Sequence, residues 1–111
     1  MATEEFEAEV LAVVARLPKA IAEQIRNVAF GVEEGREQPN LLGLYRGVPL
    51  TGRSGHYSLA LPDTITVYRL PVLSRCSSRA EVLQAIEVTV KHEIGHYFGI
   101  SDARLHELGW A

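Results

Sequence analysis

His92-Glu93-Ile94-Gly95-His96 concentrates the chemistry of this chain, and three of its four histidines fall within the last twenty residues. Residues four apart stand one above the other on a helix, so both imidazoles can reach one cation. Glu93 occupies the next wheel position, from which it would accept a proton from water on the cation rather than bind alongside. Zinc held in this way draws the pKa of its water toward about 7, and a carboxylate then suffices as general base. A catalytic zinc takes three protein ligands and keeps one position open. Continued as H-E-x-x-H-x-x-G-x-x-D, the pattern supplies Asp102 as the third, one of only two aspartates in the chain. A straight helix would carry residue 102 about 9 Å beyond His96 along its axis. Gly99 lets the backbone turn left-handed, so that the carboxylate can come back to the metal. His106 is the competing third ligand, on the same face as Asp102 if the last helix is regular. The plainer reading of the same residues is an amphipathic helix that happens to carry two histidines.

The motif needs a long helix, and the chain supplies its signals. Ser78-Arg79-Ala80-Glu81 is a capping box, and neither Pro nor Gly interrupts the run from Arg79 until Gly95. Val82, Leu83, Ile86, Val90, Ile94 and Tyr97 form one apolar face, with both histidines at its edge. Gly99 is placed to stop this helix, and Ser101 to cap a short one reaching Leu108. Upstream, Phe6, Val10, Val13, Val14 and Leu17 predict a helix over 3–17 with Thr3 as its cap. Pro18 ends it and opens a short helical piece over 19–26. Val28, Phe30 and Val32 alternate as in a strand, and Leu41–Tyr45 forms another short one. Tyr57–Leu61 and Thr64–Leu70 read as paired strands joined through Pro62-Asp63, with Leu59, Leu61, Ile65 and Val67 facing inward. These elements make a single α+β domain over residues 1–111.

The segment His92 to Asp102, followed by Arg104-Leu105-His106-Glu107-Leu108-Gly109, resembles the small bacterial zincin-like metallopeptidase family. Leu41–Leu50 and Leu61-Pro62-Asp63 resemble its central segment, so the similarity covers nearly the whole chain. The resemblance implies a minimal zincin fold: an N-terminal helix, a small mixed β-sheet, a long active-site helix and a short C-terminal helix. It also implies one Zn²⁺, on His92, His96 and Asp102, with Glu93 catalytic and a peptide or protein as substrate. In zincins an edge strand upstream of the motif helix holds substrate backbone by strand addition, and Thr64–Leu70 is the candidate here. The spacing is also metzincin-like, with Asp102 in place of a third histidine. Metzincins add a methionine turn beneath the metal and a C-terminal subdomain, whereas the one methionine here is Met1. That difference motivates a second reading, a zinc-binding but catalytically weak or inactive domain that binds a protein partner, which would complete the cleft. Tyr68, Tyr97 and His106 are candidate oxyanion stabilisers.

Composition narrows the remaining classes. Lys and Arg total 11 against 14 acids, a net charge of −3, which gives nucleic acid no basic footing. A small endoribonuclease family shares the H-x₃-H-x₅-D spacing but lacks the glutamate that stands here as Glu93. The acidic start Met1-Ala2-Thr3-Glu4-Glu5 is unlike a signal peptide, and no apolar run could span a bilayer, so a cytoplasmic location is expected. Cys76, the single cysteine, permits no internal disulfide and is read as packing, as is Trp110, while His56 is read as solvated.

Overall fold

The computed structural model describes residues 1–49 and 61–107. Helix α1 spans Thr3–Ala15 and α2 spans Lys19–Ala22. Pro18 lies between them: it offers no N–H to continue the first helix, and its fixed φ suits the entry to the second. Strands β1 (Val28–Glu33), β2 (Gly43–Arg46) and β3 (Asp63–Tyr68) form one sheet in the order β1-β3-β2. β3 runs parallel to β1 and antiparallel to β2, so the sheet is mixed and the architecture α+β, as expected. Helices α3 (Arg69–Ser74), α4 (Arg79–Tyr97) and α5 (Asp102–Glu107) complete the described chain.

α1 and α4 pack on each other and on one face of the sheet. Their helical stripes supply Phe6, Val10 and Val13 from α1, and Val82, Ile86, Val90 and Ile94 from α4. Alternation in the strands turns Ile65 and Val67 of β3 into the same core, with Val28, Phe30 and Val32 of β1 at its margin. Each such side chain, fully buried, contributes about 1.5–3 kcal/mol. The core thus fixes the helix that carries the histidines against the strands that face it.

Several expectations need correction. The segment 64–70 is not an edge strand, because β3 has β1 on one side and β2 on the other. It also stops at Tyr68, since Arg69 opens α3, whose first turn accommodates Pro71 without losing a helical hydrogen bond. Thr3 is not the cap of α1. Ala2 holds that position, and the Thr3 hydroxyl donates to Glu34 at 3.4 Å. Leu61 is 79% exposed rather than inward-facing. Residues 57–60 of the expected strand, His56 and Trp110 lie outside the described residues.

Candidate metal centre

Ser78 caps the helix as expected: the Glu81 N–H donates to the Ser78 hydroxyl at 3.2 Å, while the Glu81 carboxylate accepts the N–H of Ser77, one residue before the cap, at 3.0 Å. From that start α4 runs unbroken to Tyr97, and its exit is equally determined. Gly99 adopts φ +80°, its N–H donates to the His96 carbonyl, and the Ile100 N–H donates to the Gly95 carbonyl, both at 2.9 Å. This is a Schellman motif, and it reverses the chain within a few residues. The Ser101 hydroxyl then accepts the Arg104 N–H at 3.2 Å and starts α5 with Asp102 in its first turn.

The consequence is a convergence of donor atoms. Asp102 Oδ1 lies 3.0 Å from His92 Nε2 and 2.8 Å from His96 Nε2. The two rings stand 4.6 Å apart between centroids. Both are half-buried, while Asp102 is exposed, so the site opens at the rim of the core. Glu93 Oε1 approaches His96 Nδ1 at 3.1 Å. A neutral imidazole has one N–H, yet His96 faces a carboxylate oxygen at each nitrogen. With both carboxylates ionised, one of the two contacts requires a second proton on the ring or a cation between the atoms. Partial burial opposes charge on His96, but the hydrogen bond to Asp102 and the two carboxylates outweigh it and raise its pKa. Asp102 is in turn held below the usual carboxylate range, chiefly by its hydrogen bond to His96. Around a tetrahedral zinc with bonds of about 2.0–2.1 Å, ligand atoms stand roughly 3.3 Å apart. The two distances from Asp102 Oδ1 need open by only a few tenths of an ångström to match such an ion.

Glu93 lies closer to the imidazoles than the wheel suggests. Ligand-capable atoms of His92, Glu93 and His96 all fall within 4.8 Å of one another. A long side chain at i,i+3 can lean over its neighbour, and a strand holds it there. The Tyr45 N–H donates to Glu93 Oε1 at 3.1 Å. Since Leu42 gives its carbonyl to Tyr68 of β3, strand alternation turns the N–H groups of Gly43 and Tyr45 away from β3. Both Glu93 contacts use Oε1, and no buried side-chain oxygen among the described residues lacks a partner, so Oε2 opens to solvent. Gly43 makes the approach possible: a Cβ there would stand 2.6 Å from Thr89 Cγ2 and 3.2 Å from Glu93 Cγ. The Tyr45 hydroxyl donates to buried Asp63 at 2.6 Å, and its ring meets Tyr97 edge-on. Sequence reasoning missed Tyr45, Asp63 and the reason for Gly43.

Of the candidate oxyanion stabilisers, Tyr97 is fully buried, its hydroxyl engaged with the backbone of Arg26, and cannot serve. Tyr68 packs under Gly35, on the side of the molecule lined by Arg36 and Arg46. His106 is exposed on α5. Burial, reinforced by Glu81, raises the Cys76 thiol pKa, as suits a packing rather than a reacting cysteine. No helix among the described residues is long and apolar enough to cross a membrane. A search of curated proteins finds no match to the chain. The sequence model of the zincin-like metallopeptidase family matches residues 12–110, and the protein therefore belongs to that family.

Proposed function

We propose that the protein is a zinc-dependent peptidase in which His92, His96 and Asp102 hold the ion and Glu93 is the general base. The carrying observation is the placement of one Asp102 oxygen within hydrogen-bond distance of both Nε2 atoms, beside an anchored Glu93. Family membership supports zinc and a peptide or protein substrate. Bound there, Zn²⁺ supplies a Lewis acid for water and for the scissile carbonyl. Glu93 does the proton work: Oε1 stays fixed by the Tyr45 N–H, while Oε2 takes a proton from the attacking water and returns it to the leaving amine. The same Oε1 accepts from His96 Nδ1–H, which leaves Nε2 as that ring's metal-binding nitrogen.

Glu93→Gln tests the mechanism, because it keeps an oxygen for the Tyr45 N–H and removes the base. Zinc content should match wild type while cleavage of a peptide library falls by about 10²–10⁴-fold. A variant as active as wild type would rule out Glu93 as base. No cleavage by the zinc-loaded wild type would leave the partner-binding reading.

A further inference from the structure

Asp63 carries a carboxylate with only 3% of the residue's surface exposed, and the proposed reaction gives it no part. Burying such a group costs free energy unless its surroundings compensate. It opens β3, where its N–H donates to the Asn27 carbonyl at 3.0 Å. Strand alternation puts its side chain on the face that carries Ile65 and Val67. Tyr45 of β2 stands opposite Ile65, which makes it the diagonal neighbour of Asp63 on that face. Its hydroxyl reaches Asp63 Oδ2 at 2.6 Å, a distance typical of a hydroxyl on a carboxylate. Just beyond β2, the backbone of Gly47 lies so close that a Cβ there would stand 2.5 Å from Asp63 Oδ1 and 2.7 Å from Oδ2. One carboxylate thus meets the end of β2 at two points.

We infer that Asp63 is a positioning residue for Glu93, acting through Tyr45. The inference rests on the peptidase reading and deepens it. The N–H of the same tyrosine donates to Glu93 Oε1 at 3.1 Å, so whatever fixes Tyr45 fixes the carboxylate. Its ring is held at the hydroxyl by Asp63 and edge-on by Tyr97, with centroids 6.1 Å apart. Tyr97 is itself pinned, since its hydroxyl accepts the Arg26 N–H at 3.0 Å and donates to the Arg26 carbonyl at 3.3 Å. β2 has four residues, and the Tyr45 N–H points away from its ladder with β3, so a lock on the side chain adds what the ladder does not supply. Packing alone would be served by an apolar pair, which desolvates nothing. The carboxylate adds a directional hold on the hydroxyl. A general base must stay within hydrogen-bond reach of the proton it takes, and locked supporting residues keep it there.

The test reads the Tyr45 amide proton by NMR in the isotopically labelled full chain, beside kcat and KM of the zinc-loaded protein on a peptide it cleaves. Glu93→Ala marks where that signal lies once its acceptor is gone. Asp63→Ala should move the signal toward that position, whereas Asp63→Asn, which keeps an oxygen for the hydroxyl, should leave it near wild type. In Asp63→Ala, kcat should fall by about tenfold or more, toward the roughly 10²-fold that a misplacement of an ångström costs, with KM little changed. Asp63→Ala combined with Tyr45→Phe should fall no further than Asp63→Ala alone, because both act through one bond. An amide signal that stays in place in Asp63→Ala, or losses in kcat that multiply in the double variant, would overturn the inference and leave Asp63 a structural residue. Tyr45→Phe keeps the ring and the amide, and carries the test if Asp63→Ala does not fold; wild-type kcat in that variant would equally overturn it. Absence of cleavage by the zinc-loaded wild type would reject the peptidase reading alone, and the amide signal would then decide whether Asp63 positions Glu93.

Discussion

One carboxylate oxygen facing two imidazoles is an arrangement that a cation resolves better than protons do. Asp102 reaches both histidines, whereas His106, on the same short helix, stands exposed and makes no hydrogen bond or ion pair with either ring among the described residues. Asp102→Ala should therefore lower zinc affinity by at least the roughly 10–100-fold that loss of even an outer partner costs. His106→Ala should leave it unchanged, and competition with a chromogenic chelator measures both. If the two losses were reversed, the third ligand would be His106. His92, Glu93, His96 and Asp102 were legible in the sequence because one helix and its stop fix all four by spacing. The anchor of Glu93 was not, because a backbone N–H leaves no mark on residue type and Tyr45 lies 48 positions away. Tyr45→Phe removes one partner of the buried Asp63 carboxylate, and should cost about 1–3 kcal/mol in urea unfolding.

At the scale of elements, two glycines determine whether the site closes. Gly99 takes φ +80°, so Gly99→Ala places a Cβ in the left-handed region at about 1–2 kcal/mol. The larger expected effect is on zinc affinity, because the same turn returns Asp102 to the histidines. Zinc titration that matched wild type would separate the turn from the site. Gly43→Val should push β2 off Thr89 and Glu93, cost about 1–3 kcal/mol in urea unfolding and lower turnover further by releasing Glu93 from Tyr45. Long periodic elements were readable: α4, its cap and its stop agree with the apolar stripe and with Ser78 and Gly99. Short elements were not. Six residues from Arg69 to Ser74 are too few to display a period, and Pro71 disguises a first turn that tolerates it. Strand order was equally hidden, because the alternation in 64–70 marks a buried face and not which strands flank it.

Across the whole molecule, the core and the candidate metal ligands are separate. Phe6, Val10, Val13, Ile65, Val67, Val82, Ile86, Val90 and Ile94 pack together without using His92, His96 or Asp102. The histidines are half-buried at the rim, and Asp102 lies beyond the Gly99 turn. Hydrophobic burial from two helices and a sheet therefore holds the fold, unlike small domains whose folding energy is their metal-binding energy. Zinc should act as a ligand of the native state, adding RT ln(1 + [Zn]/Kd), about 2.7 kcal/mol at a hundredfold excess over Kd. For a domain of this size that corresponds to a rise in Tm of roughly 10 °C. Chelator-stripped protein should keep its far-ultraviolet circular dichroism and still melt in one cooperative step, only lower. Loss of helical signal on stripping would show instead that the core depends on the ion, and that the separation of core from site is only spatial.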